Sequence, residues 1–250
     1  MNKAKILASL GPASADKKII RQMVDAGMDA ARINTSHGDI AQYHSLVSNL
    51  REVKDIPIML DTQGPEIRFR CKDPLSLSKG DQFEAGFSSL HKMYFVPGFL
   101  KKIKPGTIIL FEDGLFRTKV KSISKDKVTL RALTNGRVFD KVKVNIPSLD
   151  LNLEILTKED LAFIDFAKKE KLDFIALSFT RTAKDVMRVR KLLHGSNIGI
   201  ISKIENAFGI KNFDEILDAS DGIMVARGDL AREHDVAVEN RAHRVGDRLG

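Results

Sequence analysis

The chain has 250 residues, 43% of them apolar and 30% charged, with 41 Lys and Arg against 33 Asp and Glu for a net charge of +8. That length can bury a large core in one or two domains, and the balance is that of a globular protein rather than a disordered or fibrous one. Cys71 is the single cysteine, which excludes a disulfide framework and a cysteine metal site and fits a reducing compartment. No secretory leader and no bilayer-length apolar run is read, so the expected location is cytoplasmic, with no membrane partner. A basic excess is compatible with nucleic acid. The lysines are spread along the chain with few aromatics between them, however, and a phosphorylated anionic substrate accounts for the charge more simply, so no nucleic-acid partner is expected.

From the amino end, strand and helix alternate. A-K-I-L-A-S-L reads as a strand, and residues 16–26 as a helix with Ile19, Ile20, Met23 and Val24 on one face. D-A-A-R-I-N is a second strand, residues 40–53 a second helix, and I-P-I-M-L-D a third strand. Such alternation builds a parallel sheet. From Phe69 to about Ile146 the pattern changes to short alternating runs broken by turn residues, among them T-I-I-L-F-E-D-G and K-V-K-S-I-S-K-D-K-V-T-L. The S-K-D-K and T-N-G-R junctions read as hairpin turns. Residues 69–146 are therefore expected to form a small antiparallel β domain inserted into an α/β domain made of residues 1–68 and 147–250.

Alternation resumes with a helix at 158–169, N-capped by Thr157 with Glu159 and Asp160 in its first turn. A strand D-F-I-A-L-S, a helix at 183–193, a strand I-G-I-I-S-K, a short helix near 213–217 and a strand G-I-M-V-A follow, making six α/β strands. The closing stretch carries Val238, Ala242, Val245 and Leu249 at helical spacing on a densely charged background.

The chemistry gathers at strand ends, where parallel α/β barrels hold their active sites. Lys203 and Glu205 stand two apart and face the same way, and Asp229 ends the next apolar run. Two carboxylates beside an ammonium suit a divalent cation and a phosphoryl oxygen, although a lone K-x-E is more often an ordinary ion pair. Arg32, Asn34 and Ser36 alternate along another strand end. The arginine fork can grip a phosphate, and the neutral oxygens of Asn34 and Ser36 suit a weakly held monovalent cation or simply cap the next helix. Asp61 and Thr62 add a charged and a neutral oxygen. His37 reads as a turn or cap residue, and Asp113 in F-E-D-G-L is either functional or part of a plain hairpin turn.

These stretches resemble pyruvate kinase. The resemblance is carried in order by I-L-A-S-L-G-P-A-S (6–14), G-M-D-A-A-R-I-N-T-S-H-G-D (27–39), L-D-T-Q-G-P-E-I-R (60–68), L-S-F-T-R (177–181), and the two segments I-S-K-I-E-N-A-F-G and D-G-I-M-V-A-R-G-D-L. It runs over residues 3–230 and is expected to stop after Leu230, leaving a tail of other origin. The resemblance implies a (β/α)8 TIM-type barrel of the phosphoenolpyruvate-binding kind, here incomplete at six strands, with a mobile inserted lid. The last barrel strands and the C-terminal domain of a homotetrameric family would be missing.

It further implies phosphoryl transfer from phosphoenolpyruvate to ADP, giving pyruvate and ATP in glycolysis, or a truncated, inactive fragment or pseudoenzyme that keeps the metal and phosphate ligands. Lys203 and Arg32 match the family's catalytic positions. Arg32, Arg68, Lys203, Ala226, Arg227, Gly228 and Asp229 match substrate-binding positions, the backbone N–H groups of 226–228 facing the substrate carboxylate. Glu205 and Asp229 match ligands of Mg2+ or Mn2+, while Asn34, Ser36, Asp61 and Thr62 match those of K+. Asn34, Arg68 and Asp113 correspond to nucleotide-binding positions, and Ser178 and Phe179 are expected to line the pocket. Glu66 is the residue of potassium-requiring members, and Gln63 stands where the family commonly has lysine.

Overall fold

A computed structural model describes residues 4–36, 38–99, 102–147, 149, 153–227 and 230. The chain divides into two compact units, one formed by Met1–Pro65 with Glu154–Ala226 and the other built on Glu66–Leu153.

Among the described residues of the first unit six strands lie parallel in the order β1 (Leu7–Leu10), β2 (Ala30–Asn34), β3 (Ile58–Asp61), β13 (Phe174–Leu177), β14 (Gly199–Ile204) and β15 (Gly222–Val225). Each connection except the one from β3 to β13 runs through helix: α1 (Lys17–Asp25), α2 (Ile40–Val53), α4 (Ala183–Leu192), and the pair α5 (Ala207–Lys211) and α6 (Phe213–Ala219). Nine strands of the inserted unit, counted among the described residues, separate β3 from β13, and α3 (Lys158–Lys169) leads into β13. Side-chain alternation sorts each strand into two faces. Ala31, Ile33, Ile58, Leu60, Ile175, Leu177, Ile200 and Ile204 join Ile20, Val47, Leu50, Ile164, Val186, Val189 and Ile216 of the helices in one buried cluster. On the strands, Arg32, Met59, Asp61, Ile201 and Lys203 alternate with these core residues and so belong to the opposite face. That face is apolar at the amino ends, where Leu7, Met59, Phe174, Ile201 and Met224 help to line a hollow of about 360 Å³. It is charged at the carboxyl ends.

The helix starts follow local chemistry. Asp16 caps α1 through the Lys18 N–H (2.8 Å), Asp39 caps α2 through the Gln42 N–H (2.9 Å), and Thr157 caps α3 through the Asp160 N–H (3.0 Å). The expected helix at 16–26 therefore starts one residue later, with Asp16 outside it as the cap. α5 was not expected. Five residues are too few to show a helical period, and Asn206, which accepts the Gly209 N–H (2.9 Å), is the only local mark of its start.

The second unit contains a closed seven-stranded barrel. In ring order its strands are β10 (Lys127–Ala132), β6 (Gln82–Gly86), β7 (Met93–Val96), β4 (Ile67–Cys71), β12 (Val142–Asn145), β8 (Ile108–Phe111) and β9 (Phe116–Ile123). Pairing is antiparallel except for one parallel bridge, Gly86 with Tyr94. Phenylalanines fill the interior: Phe69 meets Phe95 and Phe111 edge-on, at 5.1 and 5.3 Å between centroids. The S-K-D-K turn closes the β9–β10 hairpin, with the Ser124 N–H on the Lys127 carbonyl (2.9 Å). T-N-G-R is not a hairpin turn. β11 (Gly136–Val138) leaves β10 and pairs with β5 (Leu75–Leu77) in a separate ribbon, and Asn135 accepts the Lys79 N–H (2.7 Å). A cross-chain partner of this kind is invisible to a local turn rule.

Candidate functional site

Two strand ends of the first unit bring these charges together. β3 ends on Asp61, β14 carries Lys203 on the same face, and Glu205 follows the end of β14. Lys203 Nζ lies 3.0 Å from Asp61 Oδ1, 2.9 Å from Glu205 Oε1 and 2.8 Å from Ser178 Oγ. Asp61 and Glu205 are 1% and 3% exposed. An unpaired carboxylate at that depth would be prohibitive, so the ammonium is an obligatory partner. Burial opposes its charge, but the Glu205 and Asp61 carboxylates outweigh burial and hold Lys203 above the ordinary lysine value.

Arg32 completes the cluster. Its Nε donates to Asp61 Oδ2 (2.7 Å) and its Nη1 to Ser9 Oγ (2.6 Å), Ser9 standing opposite Arg32 in the β1–β2 register. Asn34 stands opposite Asp61 across β2–β3, and its Oδ1 accepts the Ser36 N–H (3.1 Å), so Ser36 sits in an exposed turn that Asn34 closes. Thr62 is buried, its Oγ1 donating to the Ala176 carbonyl (3.2 Å) and accepting the Ser178 N–H (3.1 Å). Ser178 Oγ also bonds the Thr62 carbonyl (2.5 Å). Phe179 is in the left-handed region, φ +55, with its N–H on Glu205 Oε2 (2.8 Å). Strain of this kind in a non-glycine residue persists only where its surroundings fix it, and here it aims a backbone donor at the carboxylate.

Other sequence candidates fall elsewhere. Ala226 donates its N–H to the Ile204 carbonyl (3.2 Å). That bond extends the β14–β15 ladder, so Ala226 is not the free donor toward a carboxylate that the sequence pointed to. Arg227 is exposed. Arg68 belongs to the second unit, donating to the Lys141 carbonyl (3.0 Å) and pairing with Glu66. His37, Gly228, Asp229 and the closing stretch expected to be helical lie outside the described residues, as does the side chain of Asp113. Among the described residues no three His, Cys, Asp or Glu side chains converge as a metal centre.

Asp160 is a residue the sequence reading missed as part of the site. It is fully buried, and beyond its bonds to Thr157 it accepts the Gln63 N–H (2.9 Å) and the Gly64 N–H (3.2 Å). It thereby holds the loop that leaves Asp61 and Thr62. The T-x-x-D capping signature was visible, but not this second use of the carboxylate.

Fold and site together define a class: a parallel α/β half-barrel with an ammonium clamped between buried carboxylates at its strand ends, interrupted by a closed β-barrel. The barrel-domain profile of pyruvate kinase matches residues 1–240, ten residues beyond the expected end of the resemblance at Leu230. The chain is 39% identical to a pyruvate kinase of Bacillus licheniformis, over 93% of this chain and 43% of that protein. It is 40% identical to one of Staphylococcus saprophyticus, with the same coverage, and 37% identical to one of Clostridium acetobutylicum, over 93% of this chain and 53% of that protein. The chain belongs to the pyruvate kinase family, and it spans about half the length of these relatives.

Proposed function

We propose that the carboxyl end of the half-barrel binds phosphoenolpyruvate and serves phosphoryl transfer to ADP, giving pyruvate and ATP as a step of glycolysis in the cytoplasm. The observation that carries this is Lys203 held between Asp61 and Glu205 with the Arg32 guanidinium on Asp61. Phosphoryl transfer asks for positioned positive charge around equatorial oxygens. Lys203 and Arg32 supply it, oriented by the carboxylates they bond. The reading also takes the sheet as part of a (β/α)8 barrel, and the second unit as a lid that excludes water.

The donor set fits the metals. Glu205 is a buried hard oxygen ligand suited to Mg2+ or Mn2+, with Asp229 as the second carboxylate on sequence grounds. Asn34 and Asp61, opposite each other on paired strands, with Ser36 and Thr62 beside them in sequence, would serve K+. When bound, the divalent ion supplies charge neutralisation at phosphoryl and enolate oxygens. Arg68 and Asp113 are assigned to the nucleotide, and Arg227 and Gly228 to the substrate carboxylate. Helices among the described residues are too short or too polar to cross a membrane.

The test is water-proton relaxation with Mn2+, with and without phosphoenolpyruvate. Enhancement should rise with the ligand, fall in Glu205→Gln, and be stronger in K+ than in a large organic cation at equal ionic strength. Unchanged enhancement in Glu205→Gln would remove the site assignment. A second reading, a chain that binds but does not turn over, draws on β1 and β15, each of which has one strand neighbour among the described residues. Coupled turnover well above blank and abolished by Lys203→Met would eliminate it.

A further inference from the structure

The basic excess is not spread evenly. Residues 66–153 hold 17 Lys and Arg against 9 Asp and Glu, a net +8, which is the whole net charge of the chain. On the outside of the closed barrel this charge has a focus: a groove of about 490 Å³ lined by Lys79, Lys119, Lys121 and Arg131 together with the Gly80 and Gly106 turns.

Three observations set this groove apart from a solvated basic face. Lys119 on β9 stands directly opposite Arg131 on β10. Like charges facing each other across an antiparallel pair destabilise it, so the pairing costs stability and stacking does not explain it. Farther along the same sheet, Lys127 finds Glu84 at 3.4 Å. Arg131 instead has Gln82 as its other cross-strand neighbour, and among the described residues none of the four cations has an ion pair. Second, the register slips here: Val120 faces Leu130 and Ser122 faces Thr129, leaving Lys121 as the extra residue of a bulge. Bulges re-aim side chains. Third, the walls are two turns with glycines at φ +102 (Gly80) and +94 (Gly106), positions that L side chains rarely adopt. A Cβ at Gly80 would meet Arg131 Nη2 at 4.0 Å, and one at Gly106 would meet Lys119 Cε at 3.9 Å, so the turns lie against the two opposed cations. The acid next in sequence, Asp81, accepts the Ser78 N–H (2.8 Å) within its own turn.

We propose that this groove is a binding site for a small anion bearing two or more phosphoryl groups, separate from the carboxyl end of the half-barrel. Four cations without counter-charge match several phosphate oxygens, and Arg131 offers a bidentate fork. The lining holds no aromatic side chain, so there is no platform for stacked bases, and the groove is unsuited to a single-stranded nucleic acid. Anion binding would relieve the Lys119–Arg131 repulsion, so occupancy should stabilise the barrel.

The experiment is calorimetric titration of the full chain with tripolyphosphate at two ionic strengths, with backbone amide shifts recorded alongside. Expected are one site, affinity that falls as salt rises, and shifts centred on Gly80, Gly106 and Arg131. Lys119→Gln/Arg131→Gln should weaken binding by about tenfold or more, since two charge-assisted contacts are lost. Without ligand it should melt at the same temperature as the parent or higher, which a merely damaged fold would not do. Lys72→Gln/Lys92→Gln removes the same charge from elsewhere in the unit and should change affinity by less than about twofold, as surface charges away from a contact do. The proposal fails if both double variants weaken binding equally, if the shifts centre on Arg32 and Lys203, or if no binding heat appears. It fails equally if an unstructured oligonucleotide of matched charge binds more tightly than tripolyphosphate.

Discussion

At the scale of single residues, Lys203 shows how the ammonium proposed to serve phosphoryl transfer is also a structural necessity. It separates two carboxylates that water does not reach, and among the described residues Lys203→Met would leave Glu205 with only the Phe179 N–H and Asp61 with only Arg32 and Ser178. Removing one partner of a buried pair costs about 3–5 kcal/mol, and urea unfolding at neutral pH should show a loss of that order. Because the folded-state value of Lys203 is raised, its contribution is fully present below the ordinary lysine value and disappears only as pH rises through the higher one. An unchanged urea midpoint in Lys203→Met at neutral pH would mean that the carboxylates are not what the lysine stabilises. The Lys203–Glu205 pair was legible because period-two alternation is local. Asp61 as the second partner was not, since it lies 142 residues away and meets Lys203 only through the strand order β3-β13-β14. Asp160 was hidden for a similar reason: a cap signature says where a helix begins, not which loop its free oxygens will hold.

At the scale of elements, one device recurs at the amino ends of the sheet. Asp29 donates its N–H to the Ile6 carbonyl (2.9 Å) while its carboxylate accepts the Ile6 N–H (2.8 Å). Asp173 does the same to Ile58 at 3.0 and 2.8 Å, and Asp221 to Ile200 at 2.9 and 2.7 Å. The clamps fall on β1–β2, β3–β13 and β14–β15, every second strand interface. Each fixes register where a slip of one residue would exchange the two faces and scatter the charges at the other end. The Ile6 N–H, and Lys5 after it, hold the Asp29 carboxyl below the usual carboxylate range. At Asp221 partial burial pushes upward, and the Arg190 guanidinium and Ile200 N–H outweigh it. A depressed folded-state value means stability that is present above the unfolded value, near 4, and lost as pH falls through the lower one. Asp29→Asn and Asp221→Asn should therefore each flatten the decline of stability between about pH 5 and 2, and equal acid slopes in parent and variants would rule the clamps out as titrating elements. Asp173→Ala should cost about 1 kcal/mol at neutral pH, as an N–H loses its acceptor at a partly solvated site. An aspartate before each of these strands, in M-D-A, L-D-F and S-D-G, was visible in the sequence. The N–H it serves belongs to the neighbouring strand, which only the fold identifies.

At the scale of the whole molecule, the sequence announced two units by its change of period, because a strand–helix pattern and a run of short alternating strands bury their apolar residues by different geometries. The closed ring was less legible. Q-F-E-A-G and M-Y-F-V are short, and they join each other through one parallel bridge that no turn signal marks. Closure has an energetic consequence. In the barrel every strand of the ring has two neighbours and the core is its own, whereas among the described residues β1 and β15 each have one. An edge strand keeps unpaired N–H and C=O groups, and Leu7 and Val225 on these two strands are 43% and 57% exposed. The half-barrel should therefore unfold at lower denaturant than the barrel, and independently of it. The chain carries its own reporters for this: it has no tryptophan, and its two tyrosines fall one in each unit, Tyr43 on α2 and Tyr94 on β7. Tyr43 is buried, with its hydroxyl on the Asn34 carbonyl (3.1 Å), so its emission follows the sheet beside the site. Tyr43→Phe leaves only the barrel signal, and Tyr94→Phe only the half-barrel signal. Urea titrations of the two variants, with circular dichroism as a common measure, should give two midpoints, the Tyr43 signal moving first. Raising the concentration should then change the light scattering of the intermediate with its half-barrel open but leave the barrel midpoint in place. Superimposable transitions in the two variants would show that the units fold as one cooperative body despite their separate cores.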